Sequence, residues 1–200
     1  MSKLRYYYSA MNAGKSIALL QVAHNYGEQD SKVLLFTSSK DDRYGVGKIT
    51  SRLGPQREAE IYTDTFNFEV ELKDRVQDIA CILVDEAQFL SKEQVIQLHR
   101  IAQCWNIPVM AYGIRSDSKG NPFDGSSYLM ALAESISELT TVCKCGSKAT
   151  MNMRVDGNGD IVLDGAQVVI GGNDQYRSVC GTCYYTKKDA RLLATQPLAA

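Results

Sequence analysis

The sequence predicts an α/β fold, with a parallel sheet as its core and a small metal-binding module at its C-terminus. Three observations support that class. Compact apolar runs alternate with stretches of helical spacing between Leu4 and Val142, and such alternation builds a parallel sheet covered on both faces. Gly14-Lys15-Ser16 stands where the first apolar run gives way to the first helical stretch. Two close cysteine pairs, Cys143 with Cys145 and Cys180 with Cys183, follow the alternating segments.

The 200 residues suffice for one core of ordinary size and a small appendage. Hydrophobic residues at 44% and charged residues at 22% match a folded chain and argue against disorder. A net charge of -1 offers no positive excess from which to expect a nucleic-acid partner. So small a charge also does nothing to discourage self-association. Residues 1–16 hold no continuous apolar leader. No apolar run approaches the ~20 residues that cross a bilayer. A cytoplasmic chain without a membrane partner is therefore expected.

Taken in order, Leu4 to Ser9 reads as a short first strand. Residues 14–27 have helical spacing, with Ile17, Leu20 and Ala23 or His24 on one side. Val33 to Thr37 is a compact apolar run that reads as a buried strand. Residues 41–55 are rich in basic residues and glycine and are expected to form a surface loop. Thr65 to Gln77 reads as a helix, and Ile79 to Val84 as a second buried strand that ends on Asp85-Glu86. Ser91 and Gln94 form a capping box for a helix carrying Val95, Leu98, Ile101, Ala102 and Trp105. Ile107 to Tyr112 is a third buried strand. A polar, glycine-rich stretch over 113–127 precedes a helix near 128–137 and a strand over 139–142. After Val142 the pattern changes to short β-type pieces and glycine-rich turns, so the domain boundary is placed at 142/143. Cys81 and Cys104 lie in apolar stretches and read as buried thiols.

Ser9-Ala10-Met11-Asn12-Ala13-Gly14-Lys15-Ser16 follows the P-loop pattern G-x-x-x-x-G-K-[ST], with Ser9 in place of the first glycine. The chemistry requires a strand that turns tightly into a helix, so that successive backbone N–H groups surround a phosphate. Lys15 then supplies a cation to the β- and γ-phosphates, and the Ser16 hydroxyl ligates Mg²⁺. The other half of such a site is an acid at the end of a neighbouring strand, and Asp85 fits it. Glu86 could accept a proton from an attacking hydroxyl or water. Cys143, Cys145, Cys180 and Cys183 can present four thiolates from two tight turns, a closed Cys₄ set suited to structural Zn²⁺. The first pair is C-x-C instead of the commoner C-x-x-C.

These residues resemble the thymidine kinase family of the cytosolic, zinc-containing type. The most specific segments are Asp85-Glu-Ala-Gln-Phe89, Tyr112-Gly-Ile-Arg115 with Pro122-Phe123, and Val169-Ile-Gly-Gly172 followed by Tyr176 and Cys180. Bacterial members are the most similar. The resemblance implies transfer of the ATP γ-phosphoryl to the 5′-hydroxyl of thymidine, and of deoxyuridine. It also implies a RecA-like P-loop NTPase core over 1–142 and a zinc-binding domain with a nucleoside-binding loop over 143–200. Mg²⁺, structural Zn²⁺, a homotetramer and feedback by dTTP are implied as well. By position, Ser9 to Ser16, Asp85 and Gln88 would serve ATP and Mg²⁺, with Glu86 the base. Met11, Phe89, Phe123, Asn152, Val168, Val169, Ile170, Gly171 and Tyr176 would surround the nucleoside. Phe89 and Phe123 could instead be core aromatics, and Tyr176 a surface residue. Arg43 and Arg52 meet either phosphates or solvent. Two other readings stay open on the residues alone: an ATPase in which Glu86 polarises water, and a zinc-ribbon module that docks nucleic acid.

Overall fold

The computed structural model describes residues 3–43, 45–169 and 175–195. The elements run β1 (Leu4–Ser9), α1 (Lys15–Gly27), β2 (Lys32–Ser38), β3 (Lys48–Thr50), β4 (Gln56–Glu58), β5 (Glu60–Tyr62), α2 (Phe68–Leu72), β6 (Ile79–Val84), α3 (Lys92–Cys104), β7 (Val109–Ile114), α4 (Asp124–Leu132), β8 (Ser135–Glu138), β9 (Met151–Arg154), β10 (Tyr176–Val179) and α5 (Gly181–Thr195). Single 3₁₀ turns cover Val76–Asp78 and Ala87–Phe89. Six strands form one sheet in the order β5-β2-β6-β7-β1-β8, and every pairing in it is parallel. The α/β class read from the sequence is the class observed.

Successive residues of a strand face opposite sides of a sheet, and the core divides on that rule. Leu34, Phe36, Ile82, Val84, Val109 and Ala111 pack with α2, α3 and α4 on one side. Leu35, Cys81, Leu83, Met110 and Tyr112 pack on the other with Leu19, Leu20 and Ala23 of α1. Strands that bury both faces need apolar side chains at every position, which is why β2, β6 and β7 were legible as continuous runs. On α3 the capping box is present as expected, with Ser91 accepting from the Gln94 N–H and Gln94 accepting from the Ser91 N–H. The Gln94 carboxamide also donates to Thr63 O and Phe66 O, which ties the start of α3 to the preceding loop.

Several expectations need correction. The stretch 41–55 is not loop throughout, since β3 pairs antiparallel with β4 and buries Ile49. Three-residue strands are too short to show an alternation. The helix expected over 65–77 is one short helix, capped by the Asn67 side chain, followed by a 3₁₀ turn. The helix expected near 128–137 begins earlier, at Asp124, because Gly125 and Ser126 are buried against the core and not turn residues. The strand expected at 139–142 is β8, at 135–138. Among the described residues it pairs only with β1, at the sheet edge, so its Ser-Ile-Ser-Glu sequence carries no apolar run. Cys81 is buried as expected, but Cys104, the last residue of α3, is exposed.

Beyond Val142 lies a separate small core of Cys143, Ala149, Met153, Val155, Ile161, Val179, Cys180 and Tyr184. It is built on the antiparallel pair β9–β10 and the start of α5. No helix among the described residues is long and apolar enough to cross a membrane.

Gly125 fixes how closely α4 approaches the 3₁₀ turn after β6. A Cβ there would stand 2.6 Å from Ala87 O, 2.7 Å from Leu90 O and 2.9 Å from Gln88 O, all backbone atoms. Gly125→Ala is therefore expected to destabilise the protein by about 1–3 kcal/mol. A thermal melt should show a midpoint lowered by roughly 3–10 °C, and an unchanged midpoint would mean that the turn yields freely.

Candidate functional site

Three strand ends on the carboxyl side of the sheet build the site, as expected for ligand binding in open α/β sheets. β1 runs into the P-loop, β6 into Asp85-Glu86, and β7 into the loop before α4. Asp85 does not lie on the strand next to the P-loop strand, as the sequence suggested, because β7 stands between β1 and β6. The first turn of α1 nevertheless reaches across, and Ser16 Oγ donates to Asp85 Oδ2 at 3.1 Å.

The loop itself turns through Gly14, whose φ of 79° is costly for any residue with a Cβ. Ser9, standing where the pattern has glycine, is buried and makes two contacts. Its hydroxyl accepts from Lys15 Nζ at 3.1 Å and donates to Ala10 O at 2.6 Å. Lys15 Nζ also donates to Ala10 O at 3.3 Å. Burial pushes the Lys15 pKa down, while the charges of Glu86 and Asp85 push it back up. Burial, with the Glu86 charge beside it, holds the Asp85 carboxyl well above the usual carboxylate range. A cation between Ser16 and Asp85 would relieve that penalty.

Glu86 has a left-handed backbone (φ 50°, ψ 37°), a conformation that costs about 1–3 kcal/mol when it is held at a functional site. The Tyr62 hydroxyl holds it there by donating to Glu86 O at 2.7 Å. Its carboxylate accepts from Arg43 Nη2 on one oxygen and from Gln88 Nε2 on the other. Burial works against the Arg43 charge, but hydrogen bonds and charge from Asp41 and Glu86 outweigh it. Gln88 is thus held against Glu86 and lines the second cavity described below. Its Oε1 accepts the Ile114 N–H at 3.2 Å, which leaves its Nε2 facing the carboxylate.

Two cavities adjoin here. The first, about 320 Å³, is lined by Asn12, Gly14, Lys15, Ser16 and Asp85, and by Lys48, Thr50, Ser51, Arg52 and Leu53 from the β3–β4 hairpin. The second gathers Phe89, Phe123, Asn152, Val168, Val169 and Tyr176 with Gln88, Asp117, Ser118 and Gln167. Met11, Arg43, Glu86 and Ile114 line both. Phe89 and Phe123 meet edge to face at 6.0 Å, so they are both packed aromatics and cavity walls. Tyr176 donates to Val169 O at 2.9 Å. Ile170 and Gly171 lie outside the described residues. Arg52 lines the first cavity and donates to Asn12 Oδ1.

Sequence reasoning named Arg52 of the hairpin but missed Lys48, Ser51, Leu53 and Thr50, whose Oγ1 is buried with no hydrogen-bond partner among the described residues. It also missed Asp117, whose carboxylate accepts N–H groups of Lys119 and Asn121 at 2.8 Å each and shapes the loop after β7. The Asp-Ser-Lys-Gly-Asn order is a turn signal that could have found it.

A family model described as thymidine kinase matches residues 2–184. The chain belongs to the thymidine kinase family. The thymidine kinase of Chromobacterium violaceum is 53% identical over 185 residues, covering 92% of this chain and 99% of that protein. The thymidine kinase of Pasteurella multocida is 49% identical over 189 residues, covering 94% and 98%. That of Idiomarina loihiensis is 53% identical over 182 residues, covering 90% and 94%.

In this thymidine kinase family member the four cysteines of the C-terminal module converge. The Sγ atoms of Cys143, Cys145, Cys180 and Cys183 all lie within 4.8 Å of one another. A tetrahedral zinc with sulfurs at 2.3 Å needs them about 3.8 Å apart, so the set fits zinc. Backbone groups make the turns. The Gly146 N–H donates to Cys143 O at 2.8 Å, and the Cys183 N–H donates to Cys180 Sγ at 3.4 Å. Hydrogen bonding from Ser147, backbone first, holds the Cys145 thiol below its ordinary pKa, while its sulfur neighbours, Cys180 first, push Cys183 up to about 12, so all four become thiolates only with a cation among them. Elemental analysis should find one zinc per chain. Cys145→Ser, at an exposed position, should lose most of it while the sheet domain keeps its far-UV signature.

Proposed function

We propose that this chain transfers the γ-phosphoryl group of ATP to the 5′-hydroxyl of thymidine, giving dTMP, and accepts deoxyuridine as well. The observation that carries the proposal is the position of Glu86, whose side chain lines both the P-loop cavity and the adjoining aromatic cavity. A base that serves transfer between two bound molecules belongs at such a boundary. Family membership supports the choice of substrate.

In this reaction the P-loop backbone from Ser9 to Ser16 cradles the phosphates, and Lys15 offsets charge on the β- and γ-phosphates. Ser16 and Asp85 are the residues that would hold Mg²⁺, which supplies further charge neutralisation when bound. The second cavity holds the nucleoside between Phe89, Phe123 and Tyr176, with Met11, Gln88, Asn152, Val168 and Val169 around it, and the family resemblance adds Ile170 and Gly171. Glu86 takes the proton of the 5′-hydroxyl as O5′ bonds to the γ-phosphorus. The bond from that phosphorus to the β,γ-bridging oxygen breaks, and ADP leaves with the electron pair. Arg43 and Gln88 hold the two carboxylate oxygens, so the base is oriented before substrate arrives.

Residues 1–142 are proposed as the kinase domain and 143–200 as the zinc domain that closes the nucleoside cavity. Feedback by dTTP follows the same logic, because that molecule joins a thymine and a triphosphate, the two groups that adjoining cavities would recognise. A homotetramer and a cytoplasmic location complete the proposal.

ATP consumption with and without thymidine tests the reading directly. A kinase consumes ATP only with the acceptor present, whereas equal consumption without thymidine would mark an ATPase. Glu86→Gln should lower kcat by about 10²–10⁴-fold while ATP still binds, and near-normal turnover would remove Glu86 as the base. Lys15→Ala should keep its far-UV spectrum and phosphorylate almost nothing. Full activity in that variant would refute the P-loop assignment.

A further inference from the structure

Asn152 and Ser178 face one another across the β9–β10 pair, in direct register. Both reach out of the C-terminal module to the same residue of the P-loop. Asn152 Oδ1 accepts the Met11 N–H at 2.8 Å, and Ser178 Oγ donates to Met11 O at 2.5 Å. The Asn152 Nδ2 also donates to Ser116 O at 3.2 Å, just past the end of β7. Met11 lines both cavities, whereas Ser178 lines neither. Asn12, next along the loop, has φ 63°, a left-handed backbone that asparagine tolerates better than most residues, and it ends the stretch that the two contacts hold.

We propose that Asn152 and Ser178 are positioning residues of the P-loop, gripping the N–H and C=O of Met11 from the four-cysteine module and so setting the loop's shape from outside the nucleotide site. The cysteines stand next to both strands of the grip. Cys180 directly follows β10, and the turn holding Cys143 and Cys145 leads through Ala149 into β9. Two backbone groups of one residue are satisfied by side chains on a pair of strands whose ends a metal would tie together. The role of Asn152 therefore extends past contact with a base: it fixes the wall that the two cavities share.

The proposal rests on the P-loop being the ATP site. It is tested by the affinity of a non-hydrolysable ATP analogue without nucleoside, with zinc content and thermal midpoint measured alongside. Ser178→Thr and Ser178→Val suit a strand equally well and differ in a hydroxyl against a methyl. Ser178→Thr should bind the analogue as the wild type does, and Ser178→Val about 3–10-fold more weakly, the size of one net hydrogen bond. Asn152→Ala should weaken it by a similar factor. The combination of Asn152→Ala with Ser178→Val should cost less than the product of the two, because both act on one residue. Zinc should stay at the wild-type level throughout. Unchanged analogue affinity in Ser178→Val and Asn152→Ala would overturn the proposal, as would an Asn152→Ala effect confined to the KM for thymidine. Should the wild type itself fail to bind the analogue, the kinase reading fails with it. A wild type that binds, with variants that bind equally, sinks only the grip.

Discussion

β7 hydrogen-bonds to β1 along one edge and to β6 along the other, so the P-loop strand and the strand carrying Asp85 and Glu86 are held one strand apart. That spacing decides the rest of the site. A parallel sheet puts all carboxyl ends on one side. Here it leaves a gap that α1 bridges through Ser16 Oγ and Asp85 Oδ2. The end of β7 fills the gap from below, and Ile114 there lines both cavities while its N–H anchors Gln88. The close approaches at Gly113 and Gly125 follow from the same geometry, since a Cβ at either would meet Gln88 or its neighbours within 3.0 Å.

Charge is concentrated where the three strand ends meet. Lys15, Arg43, Asp85 and Glu86 lie together with little solvent; the Glu86 charge acts on each of the other three, and Lys15 and Asp85 act on one another. Such a cluster is unfavourable by burial alone and tolerable only because opposite signs alternate. Burial raises the Asp85 pKa, and repulsion from its acidic neighbour Glu86 adds to it. A site of this kind suits ligands that bring both negative phosphates and a compensating cation. The left-handed backbone at Glu86, held by Tyr62, aims the carboxylate at the boundary between the cavities. This is where local strain coincides with the proposed chemistry.

The C-terminal module is more than an appendage. It supplies Asn152, Val168, Val169 and Tyr176 to one cavity, and it contacts the sheet domain through short polar links. Tyr184 donates to Ser118 O at 2.9 Å, and Lys119 Nζ donates to Gly165 O at 2.8 Å. A metal held by the four cysteines would add order to a module with so small a core.

The sequence by itself determined the α/β class, the three central strands, the capped helix α3, the P-loop, the acid pair and the four cysteines. Each is written in local pattern: continuous apolar runs, a capping box, a glycine before Lys-Ser, pairs of thiols at tight-turn spacing. What lacked a local signature came only with the tertiary structure. Edge strands β5 and β8 bury too little to spell a run, and the β3–β4 hairpin is too short to alternate. Gln88 and Asn152 were legible as site residues by resemblance, but not their partners. Gln88 turned to Glu86, and Asn152 to the Met11 backbone, because the side-chain positions around them left those hydrogen bonds as the ones to make. A buried polar group must find a partner, and which partner is within reach depends on elements far apart in the chain, a distance that local sequence pattern does not encode.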